Sequence, residues 1–90
     1  MITGEFTYDS VRDINGVSFY LGRCISGDIK ISDTLYDEKD NPIIQVIEIH
    51  QINRKVDKLP KGMTGGLIVK RLDKENNILV SGVTFTAKNI

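Results

Sequence analysis

The stretch from Gly22 to Leu35, Gly-Arg-Cys-Ile-Ser-Gly-Asp-Ile-Lys-Ile-Ser-Asp-Thr-Leu, constrains the fold more than any other part of the chain. Phe19, Leu21 and Ile25 lead into Ser26-Gly27-Asp28, and Ile29 and Ile31 lead out of it. Glycine reaches positive φ without steric cost, and Ser and Asp tolerate loop ends, so the spacing predicts a tight hairpin turn between two strands. On the exit side Ile29, Ile31, Asp33 and Leu35 share one parity, with Lys30, Ser32 and Thr34 on the other. That alternation belongs to a half-buried antiparallel strand, and Ser32-Asp33 predicts a second turn. Gly22, inside the first strand, predicts a bulge or a close approach of another backbone. A bulge there would also account for apolar residues on both parities, Phe19 and Leu21 and then Cys24.

The rest of the chain follows the same style. Residues 3–14 predict an opening strand anchored by Phe6, Tyr8 and Val11 and interrupted at Asp9-Ser10. Asn15-Gly16 is a strong hairpin signal. Leu35-Tyr36 ends a short strand, and Asp37 to Pro42 forms a polar loop closed by Asn-Pro. That loop lacks the ligand spacing of a calcium loop, so a solvated tip is expected. Ile43 to Ile52 is rich in β-branched residues and predicts a long strand rather than a helix. Both its faces are partly apolar, which suits a barrel strand whose outer face is covered by a neighbour or a partner. Asn53 to Gly62 is a basic, irregular connection expected to hold Val56 and Leu59 against the barrel. Gly65 to Leu72 predicts a buried strand, Asp73 to Asn77 a turn, and Leu79 to Phe85 the closing segment.

Ninety residues make one domain, 1–90. A chain of this length buries only about 60–65% of the surface its unfolded form exposes, so closing a sheet on itself, which removes exposed edges, is an effective use of it. A single cysteine excludes a disulfide framework and a cysteine-based zinc site. Cys24 and Arg23 are expected on opposite faces of their strand, leaving the thiol structural. No apolar run approaches the ~18 residues that span a bilayer, and the N-terminus lacks the pattern of a signal peptide. No membrane partner is expected.

The formal net charge is zero, whereas autonomous nucleic-acid binders are usually basic. The zero conceals an asymmetry. Residues 1–48 carry four Lys/Arg against nine Asp/Glu, and residues 49–90 carry eight Lys/Arg against three Asp/Glu. No phosphate-cradling loop or nucleophile motif is present. His50, the single histidine, has no metal-ligand or nucleophile partner nearby in the sequence. A non-enzymatic protein without cofactor or metal is expected.

The pattern Gly22-Arg23-x-x-x-Gly27-x-Ile29-Lys30-Ile31-x-Asp33-x-Leu35 resembles the signature of the second domain of translational GTPases, best known from elongation factor Tu. The family usually has glycine where this chain has Ser32. Phe6, Val11, Ile14 and Gly16, then Gly62 and Gly66-Leu67, and Leu79-x-x-Gly82 ahead of Phe85, extend the resemblance over roughly Phe6 to Ala87. It implies an all-β fold, a small closed antiparallel β-barrel of the translation-protein, elongation factor Tu domain 2 type. In that family the domain packs on a nucleotide domain and touches the acceptor end of aminoacyl-tRNA. Glu48 falls at the family's glutamate in the strand that meets the terminal adenosine. Arg12 falls near the family's pocket aromatic and Ser10 near its acidic position.

The resemblance therefore implies a non-catalytic, translation-factor-like binding module in the cytoplasm, contacting tRNA, the ribosome or a translational GTPase, and binding no nucleotide by itself. Glu48, His50, Arg12, Arg54, Lys55 and Lys58 are the expected RNA- or partner-binding residues. The alternative is a protein–protein interaction module that keeps the barrel, lacks RNA binding, and docks through its charge-polarised surface.

Overall fold

The computed structural model describes residues 2–14, 17–72 and 83–88. Its strands are β1 (Ile2–Ile14), β2 (Val17–Lys30), β3 (Thr34–Tyr36), β4 (Pro42–Gln51), β5 (Arg54–Val56), β6 (Lys58–Pro60), β7 (Thr64–Arg71) and β8 (Thr84–Lys88). Neighbours run β1-β8-β3-β4-β7-β2, and pairing of β1 with β2 closes the sheet into a six-stranded antiparallel barrel. Strand β5 adds to β4 and β6 adds to the far end of β2. The all-β closed barrel expected from the sequence is the observed architecture. The Asn15-Gly16 hairpin signal, the Asp73–Asn77 turn, Leu79 and Gly82 lie outside the described residues. Among the described residues no helix is long and apolar enough to cross a membrane.

Period-two alternation fills the barrel interior. Phe6 and Tyr8 enter from β1, Tyr20 and Cys24 from β2, Ile44, Val46 and Ile49 from β4, Leu67 and Val69 from β7, and Phe85 and Ala87 from β8. Ile29, Leu35, Ile43 and Leu59 complete the core, with Val56 and Val83 packed against it. The tight connection between Asn53 and Gly62 thus does hold Leu59 and Val56 in place, and it does so through two short paired strands rather than as irregular chain. Arg23 is exposed and Cys24 is buried, as alternation requires. Burial, opposed mainly by a backbone hydrogen bond from Ser26, pushes the Cys24 pKa up.

The structure corrects the hairpin expected at Ser26-Gly27-Asp28. Strand β2 continues through it without turning back. Ile25 is an extra residue relative to β1, where Ser26 pairs with Glu5 and Cys24 with Phe6. Gly27, at φ 58°, completes this bulge, and the chain then leaves β1 to pair with β6 from Asp28 onward. A positive-φ glycine serves a bulge as well as a hairpin, so the local signal was the same for both. The bend also switches the inward parity from Tyr20 and Cys24 to Ile29. Gly22 does mark a close approach, and the register slips beside it, with Asp9 the extra residue on β1. The bulge does not explain Phe19 and Leu21, however. These two face outward, half-buried, from the opposite side of β2 to Tyr20.

The second turn forms as expected. Asp33 Oδ2 accepts the Lys30 amide at 2.8 Å, and the Asp33 amide donates to the Lys30 carbonyl. Ser32 sits at φ 77°, a left-handed conformation that costs a residue with a Cβ about 1 kcal/mol or more. Ser32→Gly is therefore expected to raise the free energy of unfolding by up to about 1 kcal/mol, partly offset by the larger unfolded-state entropy of glycine. Urea denaturation of the two proteins checks the sign. In the loop after β3, Asp37 Oδ1 accepts the amides of Lys39 and Asn41 at 2.8 and 2.9 Å, and the Asn41 amide chiefly holds this carboxyl below its usual pKa.

Candidate functional site: a groove on the outer face of the barrel

Antiparallel partners present their side chains to the same side of a sheet. One outer row runs Arg12 on β1, Phe19 on β2, Ile68 on β7 and Glu48 on β4. The adjacent row runs Ser10, Leu21, Gly66, His50 and Lys55. Four expected site residues, Arg12, Glu48, His50 and Lys55, thus share one outer face. Arg54 pairs with Gln51, opposite in parity to Lys55, and lines a depression with Gln51, Ile52 and Met63 at the turn end of the β4–β5 ribbon. Lys58 lies opposite Lys30 on the β2–β6 ribbon, away from this face. Arg54, Lys55 and Lys58, near neighbours in sequence, do not form one basic patch.

The placement of Glu48 and His50 depends on a bulge in β4. The register against β7 slips between Val46 and Glu48, leaving Ile47 as the extra residue and 45% exposed. Inward positions therefore pass from Ile44 and Val46 to Ile49, and Glu48 and His50 turn outward. Beside them lies a groove of about 650 Å³ whose walls include Phe19, Leu21, His50, Ile52, Met63 and Gly66.

Each wall has a local cause. Phe19 lies over Gly66, where a Cβ would come within 2.2 Å of the ring, so the absence of a side chain on β7 makes room for the aromatic. His50 meets Phe19 edge-on at 6.0 Å, and its Nε2 is buried without a hydrogen-bond partner among the described residues. Met63 is carried by the turn between β6 and β7. That turn is tied to β2 by the Cys24 amide donating to the Met63 carbonyl and the Gly62 amide donating to the Cys24 carbonyl. Arg23 Nε also donates to the Gly62 carbonyl at 3.2 Å. Ile52 and Asn53 form the two-residue turn between β4 and β5, both at positive φ (47° and 62°), the combination of a type I′ turn.

Glu48 and Lys55 form an exposed ion pair at 2.8 Å. The hydrogen bond from Lys55 lowers the Glu48 pKa, and Glu48 raises that of Lys55. A depressed carboxylate pKa stabilises the fold above its unfolded value and loses that contribution as pH falls through the folded value. Both groups are solvent-screened, so the contribution is small. Lys55→Met is expected to return the Glu48 titration upward to the ordinary glutamate range while leaving stability nearly unchanged, as a carboxyl-carbon NMR titration with a parallel thermal melt would read.

The sequence did not single out Phe19, Leu21, Ile52 or Met63 as site residues. The available signal was the odd parity of Phe19 and Leu21, apolar residues on what alternation makes the outer face. No protein-family model matches the chain, and no curated protein matches it.

Proposed function

We propose that the chain is a non-catalytic binding module of the translation-factor barrel type, and that the groove beside Phe19 and His50 docks a protein partner, such as a translational GTPase or a ribosomal protein. The observation that carries this reading is the groove itself. Half-buried or exposed apolar side chains from β2, the β4–β5 turn and the β6–β7 turn surround one open space of about 650 Å³. Exposed apolar surface of this kind, gathered in one concavity, is the usual mark of a binding site. The position of Lys58 away from the groove, and the pairing of Lys55 with Glu48, weigh against a phosphate-tracking surface. The resemblance of the Gly22–Leu35 signature supplies the translation context, and such a partner would put the chain in the cytoplasm.

One arrangement favours a second reading, contact with the unpaired end of an RNA such as tRNA. Arg12, Glu48 and His50 share the outer face with the Phe19 ring, and Glu48 falls where the resembling family meets a terminal adenosine. Capture with the tagged chain from its source lysate, with and without RNase, and with Met63→Glu as the comparison, separates the two. Protein recovered despite RNase by the wild type and lost with Met63→Glu supports the docking reading. Recovery of RNA that RNase abolishes supports the second. Recovery indifferent to Met63→Glu overturns the groove as the docking surface.

A further inference from the structure

We infer that the groove takes an extended acidic segment of a partner protein bearing an apolar side chain, and that Ile52 makes a fixed contact on that partner. The inference rests on the docking reading above and specifies its chemistry.

Ile52 carries the first observation. A type I′ turn ordinarily places Asn, Asp or Gly at its two central positions, because both require positive φ. Here the first position holds a β-branched residue at φ 47°. Such a conformation is a genuine outlier for a β-branched side chain. The side chain is 87% exposed, so packing within the chain returns little of the cost. Strain of this kind marks positions kept for contact rather than for folding. Met63, 39% exposed across the groove, and half-buried Phe19 and Leu21 offer the recess beside this projection.

Charge gives the second observation. A depression sharing Ile52 and Met63 with the groove is also lined by Arg54. Another, sharing Leu21 and Thr64, is lined by Arg23 and Asp9. Lys61 is exposed in the turn next to Gly62. Arg54 and Arg23 thus line the two depressions that adjoin the recess, with Asp9 beside Arg23, and Lys61 is exposed in the adjoining turn. The nearby Glu48 is already neutralised by Lys55. A segment with carboxylates flanking an apolar side chain complements this surface, and charge complementarity of this kind selects partners.

Anisotropy titrations test this with three fluorescein-labelled probes: an octapeptide alternating Glu with Leu, the same peptide with Lys for Glu, and a single-stranded octaribonucleotide. The acidic peptide is expected to bind and the basic one not to. Arg54→Glu with Lys61→Glu is expected to weaken the acidic peptide by about tenfold, the sum of two rim charges reversed, and to favour the basic peptide instead. Ile52→Asp should weaken it comparably, with thermal melts confirming that each variant is folded. Equal or tighter binding of the basic peptide or of the RNA overturns the inference, as does acidic binding indifferent to these variants. A photoreactive residue at position 63 separates the two levels. If it cross-links a protein in lysate and the acidic peptide does not compete, the proposed chemistry fails and docking stands. If it cross-links none, the docking reading fails as well.

Discussion

Replacing Phe85 with alanine is expected to lower the free energy of unfolding by about 3–5 kcal/mol, the range for truncating a fully buried phenylalanine. Phe85 is completely buried on β8, the strand that joins β1 to β3. Its ring lies 6.2 Å from that of Tyr20 and 6.3 Å from that of Tyr8, so three aromatic side chains from three strands meet inside the barrel. Tilted aromatic pairs at such distances contribute beyond their buried area. Alanine would leave a cavity between rings that cannot close over it. Domains of this size hold roughly 5–15 kcal/mol in total, so the variant should be near the limit of folding. Urea denaturation is the check. A loss below about 1 kcal/mol would place Phe85 outside the core and leave the barrel without its β8 closure.

Gly22→Ala is expected to cost about 2–3 kcal/mol or more by overpacking. A Cβ there would stand 2.1 Å from the Thr7 carbonyl oxygen and 2.7 Å from the tip of the Phe6 ring. Neither neighbour can give way easily. Thr7 belongs to β1 beside the slip in its pairing with β2, and Phe6 is fully buried. For a domain of this length each kcal/mol moves the melting temperature by about 4–8 °C, so a fall of more than about 10 °C is expected. A Tm within a few degrees of the wild type would mean that β1 and β2 do not approach as closely as described here.

The barrel was legible because its determinants are local and repeated. Alternation marked Phe6 and Tyr8, and Ile29 with Leu35, and β-branched density marked β4. What escaped was set by bulges and by contacts distant in sequence. At Gly27 the same positive-φ residue could serve a hairpin or a bulge, and only pairing with Gly4 and then with β6 decides between them. At Ile47 no glycine advertises the slip, and strict alternation would place Glu48 on the side of Ile44 and Val46. The apolar outer face at Phe19 and Leu21 became a groove only once Gly66, far along the chain, left space for the ring. Of the expected site residues, His50 lines that groove and Glu48, Lys55 and Arg12 lie beside it, while Lys58 sits elsewhere because β6 belongs to the other end of β2.

On the docking proposal, the outer groove and its projecting Ile52 serve binding rather than folding. Ile52→Asn tests it most directly, since asparagine suits the left-handed position and shortens the exposed side chain. Melting temperature and affinity for the acidic octapeptide should be measured on the same preparation. Opposite movements are predicted, with Tm rising by several degrees while affinity falls by about tenfold. A variant that melts no higher and binds the peptide as tightly as the wild type would overturn that proposal.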